Sequence, residues 1–501
     1  MSKLIPVIDL FAGPGGLGEG FSSLKKNDKQ VFKLALSIEK DVNAHQTLML
    51  RALFRSFGNK VPDSYYDYIT GKITKQEFRN DKRLIKYFGE AGNEARNATL
   101  GTTAAKEIDQ WIKAGIKGYS KWVLIGGPPC QAYSLAGRSK MMNSDLEKYE
   151  SDSRHLLYKE YLRIIKKHSP PVFIMENVKG ILSSKLNGEL IFKKIIRDLG
   201  RPSKDLEYEI RSLTLDTSSN HLEPRDYIIE SELYGIPQAR HRVILFGVRK
   251  DLSKKKHQVL NVQDDFVSVN EVLGSMPIIR SKLSQEPDSI KEWHKVVQAT
   301  KSKLSGWDGP LKKTLINEMA KGINLAGNIK STGAPFIEGN VNPIANQILN
   351  KWLLDPRLRG TTQHEARSHM RSDIQRYFFL SSYAKILERS PKIRELPAKL
   401  LPDHQNAKFI DAPFQDRFRV QLGGLPSTTI VSHISKDGHY YIHPDSSQAR
   451  SLSVREAARL QTFPDNYYFE GNKTSQYGQV GNAVPPFLAY QIAKIVAEFL
   501  S

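Results

Sequence analysis

The stretch that decides the fold is Leu4-Ile5-Pro6-Val7-Ile8-Asp9-Leu10-Phe11-Ala12-Gly13-Pro14-Gly15-Gly16-Leu17-Gly18. Its apolar run, residues 4–11, ends in closely spaced glycines, so it reads as a buried strand entering a tight turn and then a helix. That is the layout of a nucleotide-type site: glycines let the backbone approach a ligand, and the helix N-terminus offers free N–H groups. The glycines fall at 13, 15, 16, 18 and 20. This is not the G-x-G-x-x-G dinucleotide spacing, and no Lys-Ser/Thr pair follows, which disfavours a phosphate-binding P-loop.

Outward from this stretch the pattern repeats. Residues 31–38 read as a second strand ending at Glu39-Lys40-Asp41. Residues 122–125 end at Gly126-Gly127-Pro128-Pro129, and 172–175 end at Glu176-Asn177. Residues 208–215 and 243–248 complete six strands, with helices at about 41–54, 104–115, 153–168 and 188–199. Strands alternating with helices of this length predict an α/β fold, a doubly wound and mostly parallel sheet. Ligands of such sheets bind at the carboxyl ends of the strands, where most of these polar and Gly-rich clusters sit. Residues 55–100 interrupt the pattern and read as an insertion, either a surface elaboration or a nucleic-acid contact. From about 249 the apolar runs shorten. Residues 249–430 hold 29 Lys and Arg against 18 Asp and Glu, a net +11. A helix over 374–388 and a hairpin pairing 428–433 with 440–443 about Asp437-Gly438 predict a separate, mixed α+β domain.

Composition narrows the function. The 501 residues are 40% apolar and 25% charged, with a net charge of +21 and a pI near 9.6. A chain this basic either carries an inert basic surface or meets a polyanion, nucleic acid first. Cys130 is the one cysteine, which excludes an intramolecular disulfide and a Cys-based zinc cluster. The N-terminal apolar run breaks at Asp9, too early for a signal-peptide core, and no run of 18 or more apolar residues exists. No membrane association is expected, and the bacterial cytosol or nucleoid is the expected location.

Four places carry chemistry. Glu39 ends the second strand, where a carboxylate either is solvated or takes both hydroxyls of a ribose. Cys130 follows two prolines that hold the chain extended, in a rigid loop after a strand; this suits a low-pKa nucleophile better than a buried structural thiol. Glu176 ends the next strand behind Phe173-Ile174-Met175, a partly desolvated place for a proton donor or a partner to a heterocycle. Arg240 and Arg242 share one face of an extended segment and could hold an anion or orient the glutamate.

Seven segments in order, DLFAGPGG, SIEKD, GGPPCQAYS, MENVKG, PQARHRVILFG, RSLSVREAARLQTFPD and QVGNAVPP, resemble the C5-cytosine-specific DNA methyltransferases. The resemblance covers about 1–54, 121–182, 232–248 and 450–501. It implies an S-adenosylmethionine-dependent, Rossmann-like catalytic domain over 1–248, completed by about 476–501, and a target-recognition domain over 249–475, of which 249–430 matches no family-wide motif. Residue by residue, it implies that Cys130 is the nucleophile toward C6 of cytosine and that Glu176 contacts N3 and the exocyclic amine, with Arg240 and Arg242 nearby. Phe11 is the ring on the cofactor adenine, with Gly13 and Gly15 in its loop. By the same resemblance Glu39 matches the ribose ligand, Pro129 the proline against cofactor and base, and Asn482 the asparagine near the methionine end. The chain departs from the family in two places. Trp122 stands where an acidic residue often precedes the PPC strand, and Leu100-Gly101-Thr102-Thr103 lacks the Gly-Asp carboxylate of the adenine edge.

The implied reaction adds the Cys130 thiolate to C6 with Glu176 assisting at N3, which makes C5 nucleophilic toward the S-adenosylmethionine methyl. Loss of the C5 proton and of the thiol follows, leaving S-adenosylhomocysteine, and no metal is required. A stacked cytosine must first be flipped out of double-stranded DNA, and the basic region would hold phosphates and read the major groove. The implied setting is restriction-modification or a related defence, with a monomeric enzyme and a cognate restriction endonuclease as its functional partner. The alternatives are an RNA cytosine-5 methyltransferase of the same family and a catalytically silent DNA-binding relative.

Overall fold

β1 (Ile5–Leu10) buries five of its six residues, as a strand covered on both faces must. It is a central strand of an eight-stranded sheet in the computed structural model, which describes residues 4–129, 154–186, 189–216, 222–403 and 416–501. β1 pairs in parallel with β2 (Phe32–Glu39) on one side and β4 (Val123–Gly126) on the other. β3 (Ala95–Asn97) extends the parallel run beyond β2, and β5 (Val172–Val178) beyond β4. β8 (His241–Arg249) runs antiparallel to β5, to β6 (Tyr208–Arg211) and to β7 (Ile228–Glu230). The order is β6-β8-β5-β4-β1-β2-β3, with β7 also on β8. This is the α/β, doubly wound and mostly parallel sheet expected from the sequence.

The helices close over both faces. They are α1 (Gly16–Ser22), α2 (Val42–Ser56), α5 (Ile85–Glu94), α6 (Ala105–Ile116), α7 (Arg154–His168) and α8 (Ile191–Gly200); α3 (Asp63–Ile69) and α4 (Lys75–Asn80), between α2 and α5 in sequence, are not among them. Ile8, Leu36, Leu124, Phe173 and Leu245 from five strands form one buried cluster with Ile108 and Ile112 of α6, Tyr161 and Ile164 of α7 and Ile195 of α8. Two strands escaped the sequence reading because each is only three residues long: β3 reads Ala-Arg-Asn and β7 Ile-Ile-Glu. The strand expected over 208–215 stops at Arg211, because the Ser212 hydroxyl accepts the Thr214 backbone N–H at 3.0 Å and turns the chain.

The chain forms two compact units: residues 1–61, 80–265 and 483–501, and residues 62–79 and 266–482. The expected boundaries at 248/249 and 475/476 therefore shift. Residues after β8 remain with the sheet because Leu260 N–H donates to Leu213 O at 2.8 Å and Gln263 N–H to Leu233 O at 2.8 Å. The inserted stretch also divides, its 62–79 portion belonging to the second unit. In the first unit the C-terminal helix and the residues leading into it pack on α1 at two glycines. A Cβ on Gly16 would sit 2.1 Å from Val484 O, and one on Gly20 2.4 Å from the Tyr490 N.

In the second unit β9 (Gly333–Glu338) pairs antiparallel with β10 (Gly360–Glu365). Its core joins Trp293 of α9 (Ile290–Ala299), Met319 of α10 (Lys312–Ala326), Phe378 and Tyr383 of α11 (Arg371–Leu387), and Ile442. α12 (Val454–Leu460) starts with a capping box in which Ser453 and Glu456 satisfy each other's backbone N–H. It carries fully buried arginines. Arg459 pairs with Asp465 at 2.7 Å, and Arg455 donates to Thr362 Oγ1 and Tyr467 O, each at 2.8 Å. The expected hairpin over 428–443 is absent. Gly438 turns the chain with φ 80°, but Ser432–Ser435 forms a 3-10 turn, and Ile442 makes single bridges to Val420 and Ser451 instead. α13 (Lys473–Asn482) closes this unit, and α14 (Pro486–Leu500) belongs to the first. Lys473–Leu500 is long and apolar enough to cross a membrane by length and composition only; it is two helices separated by residues 483–485, and 72% of its most apolar part is buried in the protein.

Burial pushes the imidazoles of His364 and His443, both in the second unit, down to about 4. The unfolded chain, with ordinary histidines near 6.5, takes up protons that the folded chain refuses. Stability should therefore fall as pH drops through about 6.5 toward 4, by roughly 3 kcal/mol for each histidine. Urea unfolding followed at pH 7.5, 5.5 and 4.5 checks this; a midpoint constant across that range contradicts it.

Candidate active site at the carboxyl edge of the sheet

The parallel register brings the ends of β1, β2, β4 and β5 together. Leu10 pairs with Ile38 on one side and Gly126 on the other, and Gly126 with Met175. The next residue of each strand therefore lies at one edge: Phe11, Glu39, Gly127 and Glu176.

On the β1–β2 side the chain turns abruptly. Ala12 N–H still donates to Ile38 O at 3.1 Å, but Phe11 adopts φ 56°, Gly13 φ 57° and Gly15 φ 97°. A left-handed phenylalanine costs on the order of 1–3 kcal/mol and persists where its surroundings over-determine it. The Glu39 carboxylate is one such constraint. Its Oε2 accepts the Gly13 N–H at 2.9 Å and its Oε1 the Asp41 N–H at 2.8 Å, tying the glycine turn to the end of β2. Space remains beside this turn, since a Cβ on Gly13 would meet nothing within 4 Å. Beneath it Asp9 is fully buried. Burial pushes its carboxyl well above the usual range, with the charge of Arg55 opposing.

On the β4–β5 side glycines permit close approach. A Cβ on Gly126 would lie 2.6 Å from Leu10 O, and one on Gly127 2.8 Å from Glu176 Oε2. Asn177 Nδ2 donates to Pro128 O at 3.3 Å, holding the proline loop to β5. Arg242 enters from β8 in register with Val178. Its Nε lies 3.0 Å from Glu176 Oε1, as an ion pair not aligned for a hydrogen bond. Burial pulls the Arg242 guanidinium below its ordinary value, and Glu176 counteracts this. Arg240 is buried, its carbonyl accepts the Ser231 hydroxyl, and His241 Nε2 lies 2.7 Å from Glu232 Oε1.

Pro129 is partly buried after Gly127-Pro128, and Cys130, directly following it, lies outside the described residues. Asn482 is exposed and is the last residue of α13, in the second unit. The 100–103 segment is a turn before α6, with Thr102 and Thr103 N–H both donating to Thr99 O. The edge thus offers two carboxylates in different settings, one linked to backbone N–H groups beside open space and one paired with a buried arginine.

A family model described as C-5 cytosine-specific DNA methylase matches residues 95–498. The chain belongs to this family. The type II methyltransferase M.Bpa9945I of Bacillus paralicheniformis is 32% identical to this methylase over 522 residues, spanning 99% of each chain. M.AgeI of Thalassovita gelatinovora is 26% identical, again over 99% of each. The crystal structure of a prophage-encoded DNA modification methyltransferase of E. coli shares the fold, with a TM-score of 0.52 and 20% identity over 99% of each chain.

The sequence reading of the methylase passed over three residues that shape this edge: Gly127, Asn177 and Asp9. Each stands inside a quoted motif, and the signal for them was only their adjacency to Pro128, Glu176 and Leu10. Gly127→Ala should force the Glu176 carboxylate aside and lower kcat/KM by about tenfold, ~1.4 kcal/mol of barrier. Steady-state methyl transfer measures this; a rate equal to the native enzyme's contradicts the placement.

Proposed function

We propose that the protein is an S-adenosylmethionine-dependent DNA (cytosine-5-)-methyltransferase of a type II restriction–modification system, working on bacterial DNA in the cytosol. The observation that carries this reading is the Glu176–Arg242 pair set against Gly127 at the mouth of the Gly126-Gly127-Pro128-Pro129 loop. That loop leads straight into the chain's one cysteine, in a chain whose family acts at C5 of cytosine.

Each residue then has a task. The Cys130 thiolate adds to C6 of a flipped cytosine, for which a soft nucleophile of accessible pKa is needed. Glu176 hydrogen-bonds N3 and the exocyclic amine and holds the proton shared with N3 as charge builds in the ring. Arg242 keeps that carboxylate in place, and Arg240 is the second arginine the family resemblance assigns near nucleophile and base. Phe11, Gly13, Gly15 and Glu39 suit an adenosyl group. The open space beside Gly13 leaves room for it, and Glu39 presents a carboxylate to a ribose; Pro129 and Asn482 are the family positions read as further cofactor contacts. When bound, S-adenosylmethionine supplies an electrophilic methyl group. The duplex is gripped by the basic 266–482 portion of the second unit, through phosphate contacts that set affinity and base contacts that set sequence.

DNA carrying 5-fluorocytosine in the target should trap a covalent complex, because fluorine cannot leave as the proton does. Cys130→Ser should abolish both trapping and turnover while DNA still binds; gel-shift and denaturing electrophoresis separate the two. Failure of the native protein to trap such DNA in the presence of S-adenosylmethionine contradicts the mechanism. Glu39→Ala should weaken S-adenosylmethionine binding by roughly 1.5–3 kcal/mol, the scale of charge-assisted hydrogen bonds. Calorimetry giving an unchanged Kd overturns its assignment.

A further inference from the structure

The segment 62–79 stands between α2 and α5 in sequence, yet it belongs to the second unit. Its attachment there is specific. Tyr66 donates its hydroxyl to Asp355 Oδ2 at 2.6 Å, and the same oxygen accepts Asn466 Nδ2 at 2.7 Å. Tyr68 donates to Glu470 Oε1 at 2.6 Å, and Lys75 to Glu470 Oε2 at 2.8 Å. Tyr65, 1% exposed, donates to Asn466 O at 3.2 Å. Phe78 stacks on Tyr68 with centroids 4.8 Å apart and planes 5° apart. Arg357 pairs with Asp63 at 2.9 Å and lies over the Tyr66 ring. Burial, and then the neighbouring Asp355 and Glu470 carboxylates, raise the Tyr66 and Tyr68 phenols above their ordinary range, which keeps them donors.

The partners of these groups sit on the rigid part of the second unit. Asn466 directly follows the motif that ends at Asp465 and Glu470 lies four residues further on, and Phe469 N–H and C=O are both held by the side-chain amide of Gln363 on β10. Asp355 and Arg357 directly precede β10. The segment is therefore built into the frame that sets the position of β10 and of the 465–470 loop. Replacing one side of such an arrangement strands hydroxyls and carboxylates without partners.

We propose that 62–79 is a second, sequence-distant component of the DNA-recognition unit, so that target specificity is carried jointly by 62–79 and 266–482. This rests on the reading of the second unit as the part that selects DNA. Two exchanges with a relative of different methylated motif test it, both in the full-length chain: 266–482 alone, and 266–482 together with 62–79. The double exchange should methylate the donor's motif at a rate near the parents', and the single exchange should lose at least about tenfold in kcat/KM on that motif. A single exchange that adopts the donor's motif at the full rate overturns the proposal, as does a double exchange that keeps the recipient's motif. Should both chimeras fail to fold, the Tyr66→Phe/Tyr68→Phe variant decides. Its KM for DNA should rise about tenfold with cofactor Kd unchanged, and an unaltered KM overturns the proposal. If the native protein makes no 5-methylcytosine, the underlying functional reading fails by itself, independently of these outcomes.

Discussion

The parallel register of β2, β1, β4 and β5 is the constraint on which the remainder of the first unit depends. Because Ile38, Leu10, Gly126 and Met175 lie in line across the sheet, the residues one step further along share an edge. A slip of one residue in any strand would turn its side chains to the opposite face. Glu39 would then lose the Gly13 N–H, and Glu176 would leave Gly127. The fully buried strand interiors make such slips costly, since residues such as Ile8, Leu124 and Ile174 are 0% exposed and each buried aliphatic side chain contributes about 1.5–3 kcal/mol.

Close backbone approach is the second requirement. Gly16 and Gly20 let the segment around Val484 and α14 lie against α1, so the last nineteen residues complete the unit that the first residues begin. Gly126 and Gly127 do the same between β4, β1 and Glu176. Opposite them, antiparallel β8 delivers Arg242 to Glu176 from the other side of β5. One buried cation beside one carboxylate, with positive charge spread elsewhere over the chain, keeps that carboxylate oriented without isolating it in an apolar pocket.

Much of this was legible in the sequence because apolar runs that end in Gly or acidic residues are strands ending at a ligand-bearing edge. The strand ends at Phe11, Glu39 and Glu176 are legible in this way, while the roles of Glu39 and Glu176 toward cofactor and base rest also on the family resemblance. β3 and β7 were illegible because three-residue strands have no periodicity, and they form only because a neighbouring strand offers an open edge. The hairpin expected at Asp437-Gly438 had the right turn residue, but tertiary bridges from Ile442 to Val420 and Ser451 replaced the ladder. The division of the insertion was hidden for a different reason. Tyr65, Tyr66, Tyr68 and Phe78 read as polar-aromatic surface until their partners, hundreds of residues away, are known. Arg240 and Arg242 were read as holding either an anion or the glutamate; Arg242 lies against the glutamate.

The central claim is that one sheet edge, set by strand register, binds the adenosyl group at Glu39 and presents Glu176 to the base. The most direct measurement is a crystal structure of the protein with S-adenosylhomocysteine and target DNA. The account predicts the ribose hydroxyls on the Glu39 carboxylate, the adenine against Phe11, and the flipped cytosine N3 within hydrogen-bond reach of Glu176. A ribose bound away from Glu39, or a cytosine whose N3 faces another residue, would contradict it.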